Sequence, residues 1–244
     1  MCTVTFLPIN NNGYILTSSR DEKTSRPSAL FPQKYILNNE QLFYPKDKLA
    51  GGTWVLTSTN NFTLCLLNGA FEKHESKPPY RMSRGQILLD FFKFNNVETF
   101  CNEFDFKNIE NFTLIIVDSN NGLNLFELRW DGNILHKKLV DETLPHIWSS
   151  CTLYTLEAKN NRANWFNDFI KTNTNFSKEN ILQFHKNAGD GSLENSIMMN
   201  RENKVKTVSI TCIENSDYSY TMHYFDAEKM QDTTLRIFKS ELVL

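Results

Sequence analysis

The sequence has no long apolar run, since none of its 244 residues lie in a stretch approaching the ~18 apolar residues of a membrane span. Its first residues also lack the cationic region and apolar segment of a secretory signal peptide. These absences predict a cytoplasmic protein without a transmembrane segment. An excess of charge of one sign is absent too, because the formal net charge is −2 and no basic stripe is visible. Nucleic acid is therefore not an expected partner.

Cysteine is sparse and irregularly spaced. The five cysteines are odd in number, widely scattered and without a Cys-x-x-Cys pair: Cys2, Cys65, Cys101, Cys151 and Cys212. This pattern argues against a disulfide framework and against a thiolate zinc site. The five histidines show no metal-ligand spacing, so we expect no metal and no other cofactor.

Short strand-like segments separated by Asn-rich turns make up most of the chain. The apolar run at residues 62–67 (FTLCLL) predicts a central strand that is covered on both faces. Helical patterns cover about 83–92, 97–104, 156–171 and 178–186, the first with a Ser-x-x-Gln capping box and the last capped by Ser177. Hairpin links between strands predict antiparallel sheets, with the helices on their outer faces. We therefore predict one α+β domain over residues 1–244.

Cys2 carries the most informative chemistry. If Met1 is removed, residue 2 has both a nucleophilic thiol and a free α-amine that can serve as its base. An amine of pKa ~8 and a thiol of pKa ~8.5 are well matched for this proton transfer. Retention of Met1 would abolish the mechanism, because an acylated nitrogen cannot act as the base.

The charged segment that follows the first predicted hairpin supports this hypothesis. A turn near residues 12–13 would bring residues 18–21 back toward Cys2. Arg20 would then favour the thiolate, and Asp21 could orient the α-amine. The alternative interpretation is a solvated turn at the end of a strand.

Several separate motifs resemble one known family. They are Met-Cys-Thr at residues 1–3, Ser-Arg-Asp-Glu at 19–22, Ala-Gly-Gly-Thr-Trp at 50–54, and the segments at 147–154 and 206–210. Together they are similar to the NRDE-motif family, that of the transport and Golgi organisation protein 2. The second motif has Ser where the family signature has Asn. The resemblance extends along the whole chain.

The resemblance implies an Ntn-hydrolase-like four-layer αββα sandwich, similar to penicillin V acylases and bile salt hydrolases. It assigns Cys2 as the nucleophile, Arg20 as the group that stabilises the thiol, and Asp21 as the group that holds the amine. Asn68 matches an asparagine that donates to the oxyanion, a role suited to a side-chain amide fixed at a strand end. Read alone, without the resemblance, Asn68 is more typical of a strand-ending Asx turn.

Two positions depart from the acylase pattern. Arg20 and Asp21 are adjacent here rather than three residues apart, so in a regular strand they point to opposite faces. Both could face Cys2 only if the strand breaks near residues 22–27. Ser150 stands where the acylases have a second asparagine, and its hydroxyl could still donate to a substrate.

Two further residues are candidate substrate contacts. The glycines at 51–52 could bring backbone close to a ligand, with Trp54 lining the pocket; alternatively they form a bulge that enters a strand. His185 precedes a glycine-containing loop and could lie at the rim of a site. Its alternative role is a partner for the C-terminal dipole of a helix.

Two functions follow from these residues. The first is an N-terminal-cysteine hydrolase that cleaves a non-peptide amide through a thioester on Cys2. The second is a non-catalytic binding or trafficking protein for acyl-CoA, lipid or haem, a ligand class that the family resemblance implies. Both predict a small-molecule amide or acyl ligand, and a cleft lined by Phe with a cationic mouth would suit the second.

Overall fold

A computed structural model describes residues 3–10, 12–216 and 218–239 of the chain. The strands are β1 (Thr3–Ile9), β2 (Gly13–Lys23), β3 (Leu30–Leu37), β4 (Glu40–Lys46), β5 (Val55–Ser58), β6 (Phe62–Asn68), β7 (Phe112–Asp118), β8 (Asn124–Trp130), β9 (Leu135–Val140), β10 (His146–Ser149), β11 (Asn200–Arg201), β12 (Val205–Asn215), β13 (Ser219–Asp226) and β14 (Gln231–Phe238). The helices are α1 (Arg84–Asp90), α2 (Val97–Glu103), α3 (Leu156–Thr172) and α4 (Lys178–Asn187).

The strands form two antiparallel sheets. The first sheet has the order β10-β1-β2-β12-β13-β14, with β11 paired to β12. The second has the order β3-β4-β5-β6-β7-β8-β9. In the first sheet, β1 lies between β10 and β2, so the strand that begins at Thr3 has a hydrogen-bonded neighbour on each side. The predicted pair of antiparallel sheets is confirmed, whereas β10 and the short β11 had no sequence prediction.

The three largest apolar cores of the described residues arrange the sheets and helices in four layers. The central core lies between the two sheets and includes Val4 and Leu67. A second core, which includes Phe100, packs α1 and α2 against the outer face of the second sheet. A third, which includes Phe184, packs α3 and α4 against the outer face of the first sheet. In the described ranges, no helix combines the length and apolarity needed to cross a membrane.

Local turn chemistry explains most strand boundaries. Asn38 and Asn39 both have positive φ, at 50° and 64°, and join β3 to β4. This conformation is typical of tight hairpin turns, and asparagine tolerates it better than most residues. Because β6 lies at the centre of its sheet between two cores, its apolar residues are covered on both faces, as predicted.

The caps of two helices differ in how well they could be predicted. Ser177 caps α4, since its side chain accepts a hydrogen bond from the Asn180 backbone N–H at 3.2 Å. The predicted capping box of α1 is wrong, because Ser83 makes no side-chain cap hydrogen bond. Gln86 instead donates from Nε2 to the Ala50 carbonyl at 2.8 Å, which ties α1 to the glycine turn.

Candidate functional site

A cavity of about 300 Å³ is lined by β2, by the segment before β5, by the end of β6 and by the start of α1. Three of the residues predicted from sequence line it: Arg20, Trp54 and Asn68. Cys2, the predicted nucleophile, lies outside the described residues. The residue after it, Thr3, is fully buried and begins β1.

Arg20 and Asp21 lie on opposite faces of β2. The Arg20 guanidinium lies 4.3 Å from the centre of the Trp54 ring, on the face toward the other sheet. Asp21 is on the helix-covered face, where Tyr154 and Thr207 donate hydrogen bonds to its carboxylate. The strand break that would bring both side chains to one face does not occur, because β2 runs unbroken to Lys23.

Asp47 holds the cationic side of the cavity together. It accepts hydrogen bonds from Arg20 Nη2 at 2.6 Å and from Arg26 Nε at 2.8 Å. The backbone N–H groups of Leu49 and Ala50 also donate to it, at 3.0 Å and 2.8 Å. Burial alone would raise the Asp47 pKa, but the hydrogen bonds from Arg26 and Ala50 and the two arginine charges lower it on balance. Asp47 is therefore an anion that fixes the Arg20 guanidinium.

The residues around Asp47 carried a signal that sequence reasoning missed. Read alone, its flanking lysines suggest a solvated turn. A carboxylate that precedes Ala-Gly-Gly is also well placed to accept the turn's N–H groups, as an Asx turn does. Its pairing with two arginines could not be read from spacing, because both come from elsewhere in the chain.

Asn68 lies where the two sheets touch near the cavity. Its backbone carbonyl accepts a hydrogen bond from Ser150 Oγ at 2.9 Å. Gly69 has φ +83°, and a Cβ there would lie 2.9 Å from the Thr152 side chain, so glycine allows this close approach. Ser150 thus contacts the backbone that carries Asn68, and its predicted contact with substrate stays a prediction.

Two buried polar atoms of cavity-lining residues have no hydrogen-bond partner among the described residues. Trp54 Nε1 and Asn68 Oδ1 are both buried and make no hydrogen bond within the described part of the chain. Buried polar groups without partners are uncommon and need an explanation, such as a ligand or water. The two atoms mark the wall of the cavity as a place for polar recognition.

The glycine turn at residues 51–52 approaches protein backbone. A Cβ on Gly52 would lie 2.5 Å from the carbonyl carbon of Gly85, and Thr53 donates its N–H to the Gly85 carbonyl at 3.1 Å. Of the two predicted roles, close approach is observed, but its partner is the first turn of α1. Gly52 and Gly85 let α1 close one wall of the cavity.

The close approach of the Gly52 and Gly85 backbones predicts the effect of Gly52→Ala. Because the added methyl cannot fit without separating the backbones at Gly85, we expect a loss of about 3 kcal/mol in the free energy of unfolding, measured by urea denaturation. The control is Gly122→Ala, where no atom lies within 4 Å of the added carbon and the only strain comes from the backbone φ of +85°. We expect it to cost about 1 kcal/mol. If both variants lost the same free energy of unfolding, the close approach of Gly52 to Gly85 could not be the cause.

A second ion pair, Arg84 with Glu110, lines the same cavity as Arg20. Arg84 Nη2 lies 3.0 Å from Glu110 Oε2, and Arg84 Nη1 donates to the Asn111 carbonyl at 3.1 Å. Burial lowers the Arg84 pKa, and the Glu110 charge opposes this shift. Both residues were missed from sequence, because their positions on a helix start and a loop gave no pattern.

The predicted position of His185 at the rim of a site is wrong. His185 is fully buried on the face of α4 that packs against the first sheet. Its Nδ1 lies 2.7 Å from Ser19 Oγ, and its Nε2 lies 2.9 Å from Thr5 Oγ1. Burial, with a contribution from the Arg162 charge, lowers its pKa to about 3, so the ring is neutral at neutral pH. His185 supports the back of the strands that lead to the site.

The expected Phe-lined cleft is also not observed. Among the described residues, the cavity lining contains three arginines and three carboxylates but no phenylalanine. The phenylalanines pack mainly in the two outer cores, under the helices. A high Phe content could not distinguish these cores from a pocket, because both remove aromatic surface from water.

Solved structures share this architecture. Two variants of conjugated bile acid hydrolase from Clostridium perfringens match with TM-scores of 0.59 and 10% identity, over 96% of this chain and 92% of theirs. The Caenorhabditis elegans orthologue of N-acylethanolamine-hydrolyzing acid amidase matches with a TM-score of 0.49 and 11% identity, over 87% and 92% of the two chains. The two bile acid hydrolase structures confirm the predicted Ntn-hydrolase-like sandwich fold.

Sequence comparison gives the family. Among curated proteins, none matches this chain. The family model described as Transport and Golgi organisation 2 matches residues 1–229, which is nearly the whole sequence. The chain therefore belongs to the Transport and Golgi organisation 2 family.

Proposed function

We propose that this protein is an N-terminal-cysteine amidohydrolase that cleaves a non-peptide amide, with Cys2 as its nucleophile. The register of β1 is the observation that carries the proposal. Thr3 pairs with Ser19 on β2 and with Ser149 on β10. Continued by one residue, this antiparallel ladder would set Cys2 between Arg20 and Ser150.

The alternation of side chains along β1 supports the required direction of the sulfur. Thr3 points to the helix-covered face, where Arg162 contacts its hydroxyl, and Val4 points into the core between the sheets. Because strand side chains alternate, a residue before Thr3 would fall on the Val4 face. That is the face of Arg20 and Trp54, which line the cavity.

Because Arg20 and Asp21 lie on opposite faces of β2, each could act on a different group of one N-terminal cysteine, Arg20 on the thiol and Asp21 on the α-amine. Arg20 lies on the cavity side, where a guanidinium would favour a thiolate. Asp21 lies on the other side, where its carboxylate could orient an α-amine that lies near the plane of the sheet. Adjacent residues can therefore serve the same cysteine without a break in β2.

The reaction follows from these groups. The α-amine takes the thiol proton, and the Cys2 sulfur bonds to the substrate carbonyl carbon while its oxygen becomes an oxyanion. The Asn68 side-chain amide and a backbone N–H donate hydrogen bonds to that oxyanion. The C–N bond then breaks, the ammonium returns its proton to the leaving amine, and water hydrolyses the thioester to a free acid.

The character of the cavity favours a small, polar substrate. Its volume of about 300 Å³ is at the lower end of small-molecule sites. Its paired charges and its unpartnered Trp54 Nε1 favour a ligand that carries hydrogen-bond acceptors. A long acyl chain would leave these groups without partners, which is costly.

A binding protein that does no hydrolysis is the second candidate. It is favoured by the 2.6 Å contact between Arg20 and Asp47, since a guanidinium engaged by a carboxylate gives less support to a thiolate. In this case the cavity would hold its polar ligand unchanged.

The test combines intact-mass analysis with an activity screen. Purified full-length protein is weighed for loss of Met1 and then incubated with small polar amides and acyl-CoAs, with amine or thiol release measured. The proposal expects a processed chain that releases amine from a polar amide. Retention of Met1, or binding without release, would support the second candidate instead.

A further inference from the structure

Arg162 on α3 is a fully buried cation that pairs with no carboxylate among the residues the structure describes. It is 0% exposed, and in the described part of the chain no carboxylate lies within ion-pair distance of its guanidinium. Its Nη2 donates to the carbonyls of Asn195 at 3.2 Å and Ser196 at 2.7 Å, and its Nη1 donates to the hydroxyl of Thr3. Burying an unpaired charge is costly, so such a residue is a candidate for a functional role.

Arg162 reaches the site from behind the first sheet by two routes. Directly, it holds Thr3, the residue that follows the proposed nucleophile. Indirectly, it stacks on the Tyr154 ring at 3.7 Å, and the Tyr154 hydroxyl donates to Asp21. Thr207 donates to the other carboxylate oxygen of Asp21 at 2.6 Å.

The charge of Arg162 also acts on its surroundings. His185, which contacts β1 and β2 from α4, has its pKa lowered to about 3 by burial and by the Arg162 charge. A cation buried in a medium of low dielectric acts strongly on neighbouring groups. The same field would oppose protonation of an amine and favour ionisation of a thiol near Thr3.

We propose that Arg162 is a positioning residue for Cys2, fixing the start of β1 directly and Asp21 through Tyr154 while it supplies an unpaired positive charge. The inference rests on the proposed role of Cys2 as nucleophile. In the described ranges, the other charged or titratable groups around this part of the sheet include Arg20, Asp21 and Glu22 on β2, Asp47, Tyr154, neutral His185, and Arg201, which lies 5.6 Å from the Tyr154 ring.

The test is the pH dependence of Cys2 alkylation. Full-length protein that begins at Cys2, released from an N-terminal fusion, is treated with iodoacetamide between pH 5 and 10, and the N-terminal peptide is quantified by mass spectrometry. Arg162→Met should raise the midpoint of Cys2 alkylation by about one pH unit, which corresponds to about tenfold slower alkylation below the midpoint. Arg162→Lys should have a midpoint close to that of the wild type, because it keeps the positive charge.

Thr5→Val is the matched control. It removes a hydroxyl from the same face of the same strand, but one that contacts His185 rather than Arg162. Its midpoint should equal that of the wild type. Cys65 and Cys212 do not compete for reagent, because burial raises the pKa of each thiol to about 12.

An unchanged midpoint in folded Arg162→Met protein would overturn the inference and leave Arg162 with a purely structural role. If that variant does not fold, Arg162→Gln and Tyr154→Phe replace it, and wild-type midpoints in both have the same consequence. Alkylation needs no substrate. If the wild-type protein hydrolyses no amide but the Arg162→Met midpoint still shifts, the proposed function is wrong, whereas the effect of Arg162 on the Cys2 thiol stands.

Discussion

Replacing Cys2 with alanine should reduce amide hydrolysis by at least about a thousandfold, because no thioester can form without the sulfur. Substrate binding should change little, since the cavity is lined by Arg20, Trp54, Asn68 and the Arg84–Glu110 pair. The measurement is amine release at saturating substrate, together with calorimetric binding of the same amide to the variant. The expected pattern is loss of turnover with retained affinity.

Cys151→Ala is the matched control for Cys2→Ala. Cys151 is a buried cysteine whose sulfur donates to the Ala70 carbonyl at 3.2 Å, and it does not line the cavity around Arg20. It should keep most of the wild-type turnover. If Cys2→Ala kept more than about a tenth of the activity, its sulfur could not be the nucleophile.

Asp47→Ala should lower the free energy of unfolding by about 3 kcal/mol, because removing this partner of a buried ion pair leaves Arg20 and Arg26 with only their 3.5 Å contacts to Glu22 among the described carboxylates. Arg20 would lose its 2.6 Å contact, and its side chain is only 4% exposed. Arg26 would lose both of its hydrogen bonds, and the turn at residues 49–50 would lose its acceptor. Urea denaturation of variant and wild type gives the difference.

The matched control is Asp168→Ala, which breaks an exposed ion pair between Asp168 and Lys171. The Asp168 side chain is 70% exposed. Exposed pairs contribute little, so we expect a change within about 1 kcal/mol. If Asp47→Ala lowered the free energy of unfolding no more than this control does, the ion pairs around Asp47 would stabilise the fold no more than an exposed pair.

Local chemistry made much of the fold predictable. The Asn-rich turns at residues 12–13 and 38–39 specified hairpins through backbone conformations that few residues tolerate. Ser177 specified the start of α4. Local chemistry failed at Ser83, where Gln86 found a partner outside its own helix, and at β10, whose four residues pair with β1 from far along the chain.

The site was only partly predictable, for a related reason. The alternation rule left two outcomes open for Arg20 and Asp21, separation or a strand break that brings them to one face, and the unbroken β2 shows that they separate. The Asp47 cluster, the Arg84–Glu110 pair and the buried position of His185 depend on contacts between distant segments. Such contacts leave no trace in spacing or composition. The role of Cys2 and the single domain over residues 1–244 stay predictions.

The most direct test of the central claim is the mass of the N-terminal peptide after rapid acid quenching of the protein with a hydrolysed amide. The proposed mechanism predicts a peptide that begins at Cys2 and carries the acyl group of the substrate as a thioester. Acylation of a different residue, or an unmodified peptide that still begins with Met1 in a preparation that turns over the amide, would contradict it.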